Sequence, residues 1–179
     1  MLNEVLNVDV FGLEIGEKYV RYMPNILNPV RDTAKCLPYR EESFDVVSAL
    51  SVLEHVPPSE LFASILEIFR IVKRDGVFIA QTPNMNFPIE VHSKLPFQQY
   101  LPRSLGKKYF HLMTGQEQDL VNWWRISYRR IIRIAKATGF SVLDYYSFHR
   151  PEDLYPAKEQ FFLPFTAIVP LDYFLVFRK

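Results

Sequence analysis

The chain has 179 residues, enough to bury one substantial core and an ordinary length for a single domain. Lys and Arg total 21 against 20 Asp and Glu, so no net charge draws it to nucleic acid, and no nucleic-acid partner is expected. The single cysteine, Cys36, excludes an intramolecular disulfide and fits a cytoplasmic location, and no apolar run approaches the roughly 20 residues of a membrane span.

Val8 to Ile15 is an apolar, β-branched run ending in an acid, and predicts a buried strand. Glu17 to Met23 has the composition of a short helix stopped by Pro24. Pro29 to Asp32 is a short strand candidate, and Leu37, Pro38 and the polar run Arg40 to Ser43 form a loop. Phe44 to Leu50 is again strand-like. Pro57 and Pro58 mark a helix entry, because proline is tolerated at a helix start and not inside one. The helix over Ser59 to Lys73 sets Leu61, Ile65, Ile68, Phe69 and Val72 on one face. Arg74-Asp75-Gly76 is expected to end it as a tight turn with Gly76 left-handed, and Val77 to Gln81 follows as a strand. Strand, crossover helix and strand imply a parallel, right-handed unit.

From Thr82 to about Asp119 the chain reads as irregular, rich in Pro, Phe and Tyr, and so long that a lid or binding loop is expected. Leu120 to Thr138 predicts a second amphipathic helix, with Val121, Trp124, Tyr128, Ile131 and Ala135 on its inner face and Gly139 as its cap. Phe140 to Phe148 and Tyr173 to Arg178 are strand-like and expected to pair near the far edge of the sheet. The expected architecture is a single α/β, Rossmann-like domain over residues 1–179. Its sheet is mostly parallel, with a C-terminal antiparallel strand pair and residues 82–119 over the substrate side.

Several positions carry chemistry. Glu14 ends a buried strand in the crevice where open α/β sheets bind ligands, and its two oxygens suit the hydroxyl pair of a ribose; a solvated strand-end acid is the other reading. Asp32, taken by itself, reads as a turn or capping residue. Glu54 and His55 invite an acid/base reading, since His titrates near neutrality. Shaping the loop and capping the following helix is the plainer role. Arg125, Arg129, Arg130 and Arg133 occupy successive turns: a solvated face by default, an anion-binding one otherwise. Packing is the default for the aromatic segment at Tyr155, Phe161, Phe162 and Phe165.

The ordered set Asp32-Thr33-Ala34, Leu37-Pro38-Tyr39, Ser43-Phe44-Asp45-Val46-Val47, Val52-Leu53-Glu54-His55-Val56 and Glu67 to Gly76 resembles the middle of class I S-adenosylmethionine-dependent methyltransferases of the small-molecule type. Thr82-Pro83-Asn84, His92, Leu95-Pro96-Phe97 and Leu101-Pro102 are similar to a run in one branch of that family. The resemblance implies S-adenosylmethionine as cofactor. Glu14 and Ile15 would lie at the ribose, Asp32, Thr33 and Ala34 at the adenine, and Leu50 and Ser51 beneath the methionine end. It implies acceptor binding by Asn84, His92 and Phe97, with His92 and His55 as candidate bases and no metal.

None of the six glycines forms the family's Gly-x-Gly loop, so the chain is expected to start at the family's second strand, N-terminally incomplete, with Met1 to Asn7 as the tail of the preceding helix. A sheet without a central strand exposes ladder groups, so a homo-oligomer or a partner subunit covering that edge is expected. Catalytic activity is therefore set against a non-catalytic binding or assembly subunit of the same fold.

Overall fold

The computed structural model describes residues 8–14, 21, 30–90, 93–117, 124–148 and 169–179. The helix expected over Glu17 to Met23 lies outside them except for Arg21, as do Ile15, His92 and the aromatic segment from 149 to 168.

Two short parallel strands, β1 (Leu13–Glu14) and β2 (Val30–Arg31), form a pair of their own. Of the strand expected over Val8 to Ile15, Leu13 and Glu14 form β1, Val8 to Gly12 lie outside any strand, and Ile15 lies outside the described residues. The main sheet contains β3 (Phe44–Leu50), β4 (Val72–Pro83), β5 (Ser141–Phe148) and β6 (Asp172–Arg178), in the spatial order β3-β4-β6-β5. β3 and β4 are parallel, joined by helix α1 (Leu61–Ile71), as the crossover pattern requires. β6 is antiparallel to both β4 and β5, which makes the sheet mixed and places the C-terminal pair at its far side.

α1 and the helix α3 (Tyr128–Thr138) pack on one sheet face. Leu61, Ile65 and Ile68 from α1 and Ile131 and Ala135 from α3 meet Ala49, Phe78, Ala80, Leu175 and Phe177 in one continuous core. Phe78 is its centre, stacked on Phe177 at 5.5 Å between ring centroids and set against Phe140 at 5.6 Å. The opposite face is less covered: Val46 and Leu50 on β3 remain 55% and 54% exposed. Among the described strands, β3 pairs only with β4.

Three boundaries differ from expectation. Gly76 is not the left-handed residue. Asp75 is (φ +61°), and β4 begins at Val72 with a bulge opposite Asp45. Glycine is needed at 76 for space: a Cβ there would lie 2.8 Å from Val72 Cγ1 and 3.0 Å from the Asp45 carbonyl oxygen. The stretch read as irregular contains a helix, α2 (Arg103–Thr114), entered at Pro102 and closed by left-handed Gly115. It buries little besides Gly106, so no core-facing stripe announces it. Finally, α3 starts at Tyr128: Trp124 to Ser127 of the helix expected over Leu120 to Thr138 are not helical, and residues 120–123 lie outside the described residues. Ser127 is extended, and its hydroxyl accepts from the Arg130 N–H as an N-cap. Gly139 closes α3 in the left-handed conformation, as expected.

Candidate active site

At the ends of β1 and β2, Glu14 is in register with Arg31, and the N–H of Asp32, the next residue, donates to the Glu14 carbonyl at 3.3 Å. The Asp32 carboxylate accepts the Thr33 N–H at 2.7 Å, and Thr33 pairs with Cys36 to close a tight turn around Ala34. The turn is held from α1. Glu67 accepts the Leu37 N–H, while Arg70 binds Glu67 through two nitrogens at 2.8 Å and donates to the carbonyls of Leu37 and Tyr39. That fork–fork pair holds the Glu67 carboxyl below the usual range. The motif from Glu67 to Gly76 is therefore structural, and what it structures is the loop after Asp32. Tyr39, packed between Phe11 and Phe44, has its hydroxyl pushed up by burial and then by the charge of Asp32.

A polar floor lies at the carboxyl ends of β3 and β4. Ser51 leaves β3 with φ +52°, a conformation that costs a non-glycine residue energy and recurs at functional sites. Its hydroxyl donates to the Gln81 side-chain oxygen at 2.7 Å, and the Gln81 amide donates to Asp172 at 2.9 Å. Leu50, just before it, is half exposed.

Glu54 sits on the short 3₁₀ turn Leu53–His55, fully buried, and among the described residues neither carboxylate oxygen has a hydrogen-bond partner. Burial pushes its carboxyl up to about 7, and the neighbouring charge of Asp172 adds to the shift. Burial likewise raises Asp172. The site thus holds a carboxyl poised to carry a proton near neutrality. His55 follows on the same turn, half buried, its N–H bound to the Val52 carbonyl.

The third part is a cavity of about 500 Å³ beyond the end of β4. Asn84 lines it, but its amide is engaged elsewhere: the nitrogen donates to the Pro170 carbonyl at 2.7 Å and the oxygen accepts the Asn86 N–H at 3.0 Å. Asn84 therefore pins the exit of β4 to the entry of β6. Phe97, half exposed with φ +61°, turns the loop above and packs toward Tyr100, whose hydroxyl donates to the Asn86 carbonyl. Tyr128 and Tyr173 stack at 4.1 Å on one wall, with Arg125 and Arg129 beside them.

The structure thus brings Glu14 to Asp32, and Ser51 to Gln81, Asp172 and Glu54. Sequence reasoning passes over Gln81, Asp172 and Tyr173. β6 enters the sheet next to β4, and nothing local to residues 172 and 173 signals that placement. In the sequence, Arg125 and Arg129 stand out only as half of a helix face. Among the described residues, no cluster of three or more His, Cys, Asp or Glu could hold a metal ion, and no helix is long and apolar enough to cross a membrane.

The fold is that of the class I S-adenosylmethionine-dependent methyltransferases. Residues 2–80 match the family model described as a methyltransferase domain. An S-adenosylmethionine-dependent methyltransferase from Archaeoglobus fulgidus superposes with a TM-score of 0.66 at 16% identity, covering 99% of this chain and 79% of that one. The methyltransferase component of a Haloferax volcanii complex with the Trm112 methyltransferase activator gives 0.62 at 15% identity, over 99% and 75%. The [4+2]-cyclase SpnF has the same fold, with a TM-score of 0.60 at 15% identity over 96% and 66%. No curated protein matches the sequence.

Proposed function

We propose that this chain binds S-adenosylmethionine at the ends of β1, β2 and β3 and directs its methyl group to a small-molecule acceptor. The observation that carries the reading is the backbone hydrogen bond by which Asp32, the residue just after β2, meets the carbonyl of Glu14 at the end of β1. Two carboxylates there suit the hydroxyl and amino donors of a nucleoside, and the clamp from Glu67 and Arg70 holds their loop in place before binding. Ser51 and the floor behind it suit the methionine end. When bound, the cofactor supplies a methyl group activated on a sulfonium.

The chain's own part is placement of the acceptor, exclusion of water and, for an acidic nucleophile, acceptance of a proton. Glu54 and His55 are the candidates for that last role among the described residues, and His92 is the further one from the sequence. Glu54 is poised for it by burial.

A non-catalytic subunit is the second reading. It is supported by the exposed Val46 and Leu50 on β3 and by a fold neighbour solved in complex with a methyltransferase activator. Calorimetric titration with S-adenosylmethionine separates the two. Binding is expected, weakened on the order of 10-fold or more by Asp32→Ala or Glu14→Ala, as for loss of a hydrogen bond to a charged group. No heat at millimolar cofactor would favour the subunit reading.

A further inference from the structure

The four arginines of the α3 region do not share one fate. Arg130 donates to the Pro58 carbonyl, tying α3 to the entry of α1, and Arg133 faces solvent. Arg125 and Arg129 instead line the cavity beyond β4. Each lies over a tyrosine: Arg125 at 5.6 Å from the Tyr100 ring and Arg129 at 5.7 Å from Tyr128. Arg129 also donates to the Tyr128 hydroxyl at 3.2 Å. The ion pairs among the described residues are made by Lys35, Arg70, Lys73, Arg74 and Lys179, and neither cavity arginine takes part in one.

We propose that this cavity is an anion site, taking a carboxylate or phosphate carried on a planar, apolar group. The inference rests on the methyl-transfer reading only in making that group part of the acceptor. The size fits: about 500 Å³ holds an aromatic ring with its head group. So does the lining. Buried Ile126 and the stacked Tyr128 and Tyr173 offer an apolar, π-rich surface, and the two guanidinium groups present fork-shaped donors that match an oxyanion. Burial raises the hydroxyls of Tyr100 and Tyr173, so both stay protonated and bring no competing negative charge. The amino end of α3 opens at the same cavity and contributes partial positive charge.

The test is calorimetric titration of the intact chain with phenyl phosphate, benzoate and the neutral benzyl alcohol. Saturable binding of at least one anion is expected, with benzyl alcohol about 10-fold weaker or more. Arg125→Gln and Arg129→Gln should each weaken anion binding by a similar factor, Arg129→Lys by less, and Arg133→Gln not at all. The ratio of phenyl phosphate to benzoate affinity assigns the head group. Equal binding of the neutral compound, or anion binding unchanged in both glutamine variants, overturns the proposal, as does absence of saturable anion binding. Titrating the same samples with S-adenosylmethionine keeps the two readings apart. Anion binding without cofactor binding defeats methyl transfer and leaves the anion site standing; cofactor binding without anion binding does the reverse.

Discussion

The carboxyl edge of the sheet has an acidic side and a cationic side. Around the ends of β1, β2 and β3 stand Glu14, Asp32 and Glu54, joined by Asp172, which at the start of β6 accepts from Gln81; beside the cavity beyond β4, near the start of α3, stand Arg125 and Arg129. Asp172 and Tyr173 are consecutive residues, one facing each side. A methyl donor that carries a sulfonium and an ammonium is suited to the first side and an anionic acceptor to the second. Under the proposed function, the contrast would assign the two reactants by charge, where shape alone would leave their places interchangeable.

The largest expected effect tests whether the two sides share one platform. Phe78 is fully buried under both, against Phe140 and Phe177. Phe78→Ala should destabilise the fold by about 4 kcal/mol in urea denaturation and weaken cofactor and anion binding together. Loss of one with retention of the other would show that the sides are independently supported.

The next test strikes the acidic side alone. The Glu54 carboxyl is raised from 4.5 to about 7 in the folded chain. The folded state thus keeps a proton that the unfolded state releases, so the associated stability is intact below about pH 4.5 and is lost as pH rises to about 7. The loss amounts to about 3–4 kcal/mol, because each pH unit between those two values is worth about 1.4 kcal/mol. Glu54→Gln should remove the decline, leaving stability at pH 4 little changed and raising it at pH 8. A wild-type stability that is flat between pH 4.5 and 7 would contradict a buried, partnerless Glu54.

The smallest effect sharpens the comparison at the floor. Ser51→Gly relieves the positive φ but frees the unfolded chain, so melting should move little, within about 0.5 kcal/mol. The lost hydroxyl contact to Gln81 should still weaken cofactor binding several-fold while anion binding holds. A comparable loss of anion binding would mean that Ser51 and Gln81 serve both sides.

Much of the fold is legible in the sequence because it rests on local pattern. The three- and four-residue spacing of Leu61, Ile65 and Ile68 announces α1, the apolar runs announce β3, β5 and β6, and Gly139 announces the end of α3. α2 escapes because its apolar residues, Leu105, Leu112 and Met113 among them, are exposed and mark no core face. Gly76 is singled out correctly but for the wrong reason, since spacing reveals that a glycine ends a helix pattern but not which atoms crowd it. The acidic side is half legible: Glu14 and Asp32 stand at strand ends, whereas Asp172 reaches Gln81 from 91 residues away. The cationic side is the least legible, because a row of arginines on a helix looks the same whether two of them face solvent or a cavity.

β6 has a consequence for the order in which the protein assembles. It lies inside the sheet, between β4 and β5, although it is made after both. On the ribosome, β4 and β5 must wait as unsatisfied neighbours until residues 172–178 emerge and zip between them. The acidic floor, which needs Asp172, and the cavity wall, which needs Tyr173, are completed in that same late step. A nascent chain halted before that strand would be expected to recruit chaperones through the open flank of β4, and to bind neither ligand.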